Sequence, residues 1–223
     1  QNASWDQLQP AFFLQLRATI SDHPNTVNKI LSALRSFFQF LVRNDICVDN
    51  PLKDIPPLPE RYFVPFVFSP AQTERLLQAA GQNIRKTPKY FLTDMAIYLA
   101  IVLLARCGMR INEPLRMHRD QYCRHDGTVY IEKTKFRKDR LIPVPKIALT
   151  QIENYLAVRT ALRADDQNPY LLAARKQRQL RGRQVRDAFH QAVKDIGLNQ
   201  PKQVIGNITF GKPLPHSLRH GFA

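Results

Sequence analysis

Residues 105–121 read ARCGMRINEPLRMHRDQ and join an apolar segment to a run of charged residues. The apolar run from Tyr90 to Cys107 that leads into it is too short and too interrupted to cross a membrane, so it predicts a buried helix. Gly108 is the residue type that commonly ends a helix. Arg110 and Glu113 then stand three positions apart, a spacing that allows an ion pair on one helix face.

Two further basic segments follow, KTKFRKDRLIPVP at residues 133–145 and PHSLRH at residues 215–220. Each has an ordinary explanation when taken alone: Lys135 suits a solvated turn, and His216 suits a capping or core histidine. Leu218 and Phe222 are interleaved with the second segment, and such apolar side chains favour packing over a solvated tail.

The charge balance indicates a polyanionic partner. Lysine and arginine total 33 against 18 acidic residues, a formal net charge of +15, while a hydrophobic content of 44% is ample for packed cores. Nucleic acid is the first expectation and an anionic membrane the second. Against the membrane, the sequence shows neither an apolar run of transmembrane length nor a signal-peptide or lipidation pattern, so we expect a cytoplasmic protein.

Other chemistries lack their sequence patterns. The cysteines are odd in number, namely Cys47, Cys107 and Cys123, and they form no C-x-x-C pair. Both facts disfavour a disulfide framework or a zinc ribbon. Neither form of glycine-rich phosphate loop occurs, and no cluster of carboxylates suggests a magnesium site. We therefore expect neither a metal nor a cofactor.

The first part of the chain, residues 1–55, is predicted to be a small helical domain. Apolar residues recur at helical spacing from Pro24 to Asn44, and the segment from Trp5 to Ile20 also fits a helix. Residues 56–68 contain most of the proline-rich stretch IPPLPERYFVPFVF, which predicts an extended interdomain linker.

Residues 69–223 are predicted to be a second, mostly helical domain with a small antiparallel hairpin, making the whole chain α+β. Ser69 begins a helix that runs toward Ala80. Strands are expected at Thr128 to Glu132 and Arg140 to Val144. Two more helices are expected, at Ile147 to Leu162 and Arg181 to Ile196.

The order of these features resembles that of the tyrosine recombinases, also called the phage integrase family, over nearly the whole chain. The segment at residues 29–51 looks like the DNA core-binding domain of that family, and ARCGMRINEPLRMHRDQ resembles its first arginine box. TKFRKDRLIPVP resembles the hairpin that carries its lysine, and PHSLRH resembles its His-x-x-Arg box.

The resemblance implies a role for each matching residue. Arg110 and Arg219 would grip the scissile phosphate, Lys135 would protonate the leaving 5′ oxygen with Lys133 as the alternative, and His216 would assist proton transfer at the nucleophile. Glu113 and His220 would support the site, and Asp120 matches a structural aspartate. Preorganised guanidinium groups can stabilise the extra charge of a pentacoordinate phosphorus without a metal, so the chemistry is self-consistent.

The family's nucleophilic tyrosine lies beyond the His-x-x-Arg box, whereas all seven tyrosines of this chain precede Arg219. None matches the nucleophile position. We therefore expect this chain, cut after Ala223 and short at its front, to bind DNA without cleaving it alone, as a monomer or weak dimer. The parent protein is expected to act as a homotetramer on paired sites of double-stranded DNA. The expected DNA contacts are Lys29, Arg35, Arg43, Arg137, Lys138 and Arg140.

Three alternatives share parts of this pattern. A non-catalytic DNA-binding regulator derived from a recombinase would keep every binding feature. A type IB topoisomerase relative would use similar arginine, lysine and histidine chemistry, although the separate short helical domain favours a recombinase. An RNA-binding protein is disfavoured because no stacking-platform signature is present.

The charge balance gives a first prediction, that DNA affinity falls steeply with salt. Each neutralised phosphate releases counterions and contributes about −0.9 to the slope of log affinity against log salt. Fluorescence anisotropy with a labelled random-sequence duplex at several salt concentrations measures that slope. Affinity that does not change with salt would contradict binding through a basic groove.

Overall fold

The computed structural model describes residues 8–20, 24–60, 62–132, 139–163, 166–174 and 178–221. It is mainly α-helical with small antiparallel sheets, which confirms the predicted fold class. The chain forms two compact units, one from Gln1–Val64 with Val204–Thr209 and one from Pro65–Gln203 with Phe210–Ala223. No helix within the described ranges is long and apolar enough to cross a membrane.

The first unit is built on two helices, α1 (Pro10–Thr19) and α2 (Pro24–Arg43). Each begins with proline, whose fixed φ suits the first helical turn and whose missing N–H is not needed there. The apolar side chains recur every three or four residues along α2 and face a small separate core. That core contains Phe13, Val27, Leu31, Phe38, Leu41, Leu52 and Ile55. A short strand, β1 (Tyr62–Val64), follows.

Three helices begin the second unit: α3 (Pro70–Gln82), α4 (Phe91–Cys107) and the short α5 (Asn112–Arg116). The predicted cap of α3 is present, since the Ser69 hydroxyl accepts from the Gln72 backbone N–H and the Gln72 side chain accepts from the Ser69 N–H. Between Asp94 in its first turn and Arg106 in its last, helix α4 carries apolar side chains on nearly every face, so it can lie in the main core.

A three-stranded antiparallel sheet follows α5 and a short 3-10 turn at Arg119–Gln121. Its strands are β2 (Tyr122–Cys123), β3 (Thr128–Ile131) and β4 (Arg140–Pro143), in that order. In the β3–β4 pair Ile131 faces Arg140 and Val129 faces Ile142, so the predicted hairpin is confirmed. Residues 133–138, which join β3 to β4, lie outside the described residues.

The second unit is completed by α6 (Lys146–Leu162), α7 (Gly182–Asp195) and the one-turn α8 (Ser217–His220). Helix α4 contacts α3, α5, α6, α7 and α8. It is therefore the central element of this unit, and its carboxyl end is fixed by the surrounding helices.

A second small sheet was not predicted from the sequence. Strands β5 (Gln203–Ile205) and β6 (Ile208–Phe210) form a hairpin, and β6 also pairs with β1, giving the order β1-β6-β5. Gly206 in the connecting turn has a φ of 58°, a conformation that glycine adopts without strain. Part of the predicted proline-rich linker is thus a sheet strand.

A buried arginine fastens the segment before α7 to α6. Arg159 is 1% exposed, and its guanidinium donates to Asp166 at 2.7 Å and to the backbone carbonyls of Asn168, Tyr170 and Leu171. This segment pairs in turn with the chain after α5, because the Leu171 N–H donates to the carbonyl of Met117. Arg159 therefore supports the position of α5 through backbone hydrogen bonds.

We predict that Arg159→Leu destabilises the second unit by about 3–5 kcal/mol. It leaves several carbonyls buried without their donor, and it removes the closer of two cations from the buried Asp166 carboxylate, since Arg119 lies at 3.5 Å and Arg159 at 2.7 Å. Denaturant unfolding followed by circular dichroism measures the change.

The matched control is Arg124→Leu, since Arg124 also pairs with a carboxylate, Glu153, but its side chain is 79% exposed. Its effect should stay within about 0.5 kcal/mol, as for ordinary surface substitutions. Equal effects of the two substitutions would show that Arg159 is not the fastening residue.

Candidate active site

The site begins at the carboxyl end of α4, where Gly108 has a φ of 58° and ends the helix. The side chain of Glu113, on the first turn of α5, folds back toward Arg110, which lies two residues beyond Gly108. Its Oε2 accepts from the Arg110 backbone N–H at 2.7 Å, and its Oε1 accepts from Arg110 Nη1 at 3.2 Å. The ion pair expected from the three-residue spacing is therefore present, together with a backbone bond that the spacing did not reveal.

Arg219, which is near the end of the sequence, also contacts the carboxyl end of α4. It lies on α8, and its Nη1 donates to the carbonyl oxygen of Gly108 at 2.9 Å. The left-handed conformation of Gly108 releases this carbonyl from the helix ladder, so it is available as an acceptor. One bond thus joins the first arginine box to the His-x-x-Arg box.

The guanidinium groups are close enough to affect one another. The pKa of Arg219 is lowered from its usual value, first by burial and then by the positive charges of Arg110 and Arg140, while Glu113 acts in the opposite direction. Arginine remains protonated in proteins, so the result is a concentrated positive charge. Such a site attracts an anion with several oxygen acceptors.

His216 lies directly before α8 and packs edge-to-face against His220, with ring centroids 4.9 Å apart. The pKa of His216 is lowered, first by burial and then by the charges of His220, Arg219 and Arg110. An imidazole whose pKa lies below its usual value is mostly neutral near pH 7. It can then accept or share a proton beside the positive cluster.

Helix α5 and the strand β4 are joined across the site. Arg140 Nη2 donates to Glu113 Oε2 at 2.7 Å, so Glu113 is shared between Arg110 and Arg140. The basic segment around Arg140 predicts a DNA contact and gives no sign of this pair, because Arg140 and Glu113 belong to different motifs.

The structure brings most of the predicted catalytic and supporting residues together in the second unit: Arg110, Glu113, His216, Arg219 and His220. Lys135 and its alternative Lys133 lie outside the described residues, as do Arg137 and Lys138. Asp120 is exposed in the 3-10 turn. The role of each catalytic residue therefore stays a prediction.

The other predicted DNA contacts lie on α2 in the first unit. Lys29 and Arg43 are exposed there. Arg35 is partly buried, and its guanidinium donates to the carbonyls of Leu52 at 3.1 Å and Ile55 at 2.8 Å. It holds the chain that follows α2, a structural role that a pattern of surface charges could not reveal.

The sequence profile of the phage integrase family matches residues 67–223. Among curated proteins, the tyrosine recombinase XerC of Alcanivorax borkumensis is 30% identical over 223 residues, which cover 98% of this chain and 66% of XerC. The chain therefore spans just under two thirds of that relative.

Solved structures share the fold. The XerH site-specific recombinase bound to its difH substrate superimposes with a TM-score of 0.70 at 19% identity, covering 98% of this chain and 59% of XerH. A lambda integrase tetramer bound to a Holliday junction gives a TM-score of 0.64 at 17% identity, covering 96% of this chain and 58% of the integrase chain.

We predict that Gly108→Ala lowers the free energy of unfolding by about 1–2 kcal/mol, because alanine is strained at a positive φ. The substitution should also shift the NMR signal of the Arg219 Nε–H group, since Arg219 binds the Gly108 carbonyl.

Gly197→Ala is the matched control. Gly197 has a φ of 73° just beyond α7, and an added Cβ would meet no atom within 4 Å. It should cost similar stability and leave the Arg219 signal unchanged. An unchanged Arg219 signal in Gly108→Ala would contradict the proposed link between the two motifs.

Proposed function

Because this chain belongs to the phage integrase family, we propose that it is the DNA-binding and phosphate-gripping portion of a site-specific DNA recombinase. Arg110 and Arg219 bind the nonbridging oxygens of the scissile phosphate. The reaction is a transesterification, in which a nucleophile hydroxyl attacks phosphorus and the 5′ oxygen of the DNA leaves. This chain supplies the charge stabilisation for that step, and its own tyrosines are not assigned as the nucleophile.

The observation that carries this proposal is the meeting of Arg110 and Arg219 at the end of α4. A pentacoordinate phosphorus bears additional negative charge on its nonbridging oxygens, and donors that are already positioned stabilise it without reorganisation. Each planar guanidinium can bind two oxygens in a fixed geometry, which a single lysine cannot do. The Gly108–Arg219 bond positions one guanidinium in advance, and the bond from the Arg110 backbone N–H to Glu113 fixes the chain from which the other extends.

The proton transfers are assigned to two further residues. His216, held mostly neutral by burial and by its cationic neighbours, shares a proton with the attacking hydroxyl. Lys135, or Lys133 in its place, gives a proton to the leaving 5′ oxygen. Both lysines belong to the segment between β3 and β4, so this assignment rests on the motif resemblance.

The partner that we propose is double-stranded DNA. In the first unit, Lys29 and Arg43 are exposed on α2, where they can contact DNA phosphates or bases. In the second unit, the proposed DNA contacts are Arg137 and Lys138. In the solved structures XerH is bound to its difH substrate, and lambda integrase is bound as a tetramer to a Holliday junction. By analogy, the parent protein acts as a homotetramer on paired sites, in the cytoplasm and associated with the nucleoid.

The proposal predicts that one phosphate on each strand of the bound DNA is far more important than its neighbours. A duplex is first selected from random sequences by binding to this chain, and each phosphate is then replaced in turn by an uncharged methylphosphonate. At one position the replacement should weaken binding roughly 10- to 100-fold, the loss expected for charge-assisted hydrogen bonds of about 1.5–3 kcal/mol.

That same replacement should have little effect on the double variant Arg110→Gln/Arg219→Gln, because its phosphate grip is already absent. Arg106→Gln serves as the control, since the ion-pair partner of Arg106 is Glu74, which is not one of the site residues, and it should keep the wild-type pattern. A scan in which no phosphate stands out would argue against a scissile-phosphate site. A pattern unaltered in the double variant would argue against these two arginines.

A further inference from the structure

Arg140 carries an arrangement that the proposed function does not use. It is the first residue of β4, and its Nη2 donates to Glu113 Oε2 at 2.7 Å. The Glu113 side chain is 10% exposed and that of Arg140 is 32% exposed, so water screens this ion pair less than a pair on the open surface. It is a well-formed contact between two elements that are distant in sequence.

Arg140 also helps to orient Glu113. The Oε2 atom is held by two donors at 2.7 Å, Arg140 Nη2 and the Arg110 backbone N–H, whereas Oε1 meets Arg110 Nη1 at the longer distance of 3.2 Å. The carboxylate orientation is therefore set by Arg140 together with the Arg110 backbone. The guanidinium of Arg110 is held more loosely and can turn toward another anion.

The charge of Glu113 is divided between two cations. Arg110 and Arg140 both pair with it, and the positive charges of Arg110 and Arg140 both act on Arg219. A carboxylate shared in this way leaves net positive charge at Arg110. If Arg140 lost its charge, Glu113 would pair with Arg110 alone and would compete with a phosphate for the same guanidinium.

One anion-binding edge of the Arg140 guanidinium is closed to DNA phosphate. The Nε and Nη2 atoms form one of the two edges through which arginine can bind an anion by two parallel bonds. In Arg140, Nη2 is bonded to Glu113, and Nε is buried with no hydrogen-bond partner among the described residues. An incoming phosphate therefore cannot reach this edge without displacing Glu113.

We propose that Arg140 is a positioning residue for the phosphate grip, acting through Glu113 on Arg110; this inference rests on the proposed function. By holding Glu113 Oε2, it keeps the carboxylate from pairing fully with the Arg110 guanidinium. It also fastens β4 to α5.

The test is to titrate the chain with inorganic phosphate and to monitor the NMR signals of the arginine Nε–H groups at each phosphate concentration. In the wild type, the signals of Arg110 and Arg219 should shift together with one dissociation constant. Arg140→Gln should weaken phosphate binding about tenfold, within the range found for neighbouring side chains that act on each other. In a Glu113→Gln background the same substitution should change the affinity less than about twofold, because no carboxylate remains to be positioned.

Two variants complete the design. Arg140→Lys keeps a charged donor for Glu113 and should restore most of the lost affinity, which also tests the proposal if Arg140→Gln folds poorly. Arg106→Gln removes the same charge from an ion pair with Glu74, a residue outside the site, and should leave phosphate affinity unchanged. A thermal unfolding curve for each variant shows that the compared proteins are folded.

Each contrary result has its own meaning. Absence of any Arg110 or Arg219 shift in the wild type would overturn the proposed function itself. Wild-type binding with an unaffected Arg140→Gln variant would overturn this inference alone. If Arg140→Gln lost equal phosphate affinity with and without the Glu113 carboxylate, Arg140 would contact the anion directly. If Arg106→Gln lost as much affinity as Arg140→Gln, the effect would come from general charge. Either result excludes the positioning role.

Discussion

The constraint on which the candidate site depends is repulsion between like charges. The guanidinium groups of Arg110, Arg140 and Arg219 are held close enough for the first two to lower the pKa of the third. Such an arrangement is unfavourable unless the fold fixes its members. Here the Gly108 carbonyl holds Arg219, and Glu113 holds the other two. The positive charge that remains is what an incoming phosphate can neutralise.

The rest of the second unit can be understood as support for this arrangement. Helix α4 is buried by the helices around it, so the left-handed turn at Gly108 has a fixed position. Arg159 holds the segment that pairs with the chain after α5. His216 precedes Arg219 by three residues, so the one-turn helix α8 sets the imidazole beside the cationic cluster. The proposed phosphate grip is thus positioned by helix ends.

Local rules account for what was predictable from the sequence. The Ser69 cap, the helix stop at Gly108 and the β3–β4 pairing each depend on residues close together in the chain, and all three are present. The order of the motifs indicated the family, which the match to the phage integrase profile confirms.

Pairings between residues far apart in the sequence were not predicted. Strand β6 pairs with β1 from the far end of the chain, and prolines around β1 pointed only to a linker. Arg35 and Arg140 appeared to be surface cations, since nothing in their own segments showed that their partners are backbone carbonyls and Glu113.

The central claim is that Arg110 and Arg219 bind one phosphate together, and a crystal structure of this chain with a selected DNA duplex measures it directly. The account predicts guanidinium nitrogens of both arginines about 2.7–2.9 Å from the nonbridging oxygens of a single phosphate, with the His216 imidazole beside it. A complex in which the two arginines contact different phosphates, or in which neither contacts the backbone, would contradict the account.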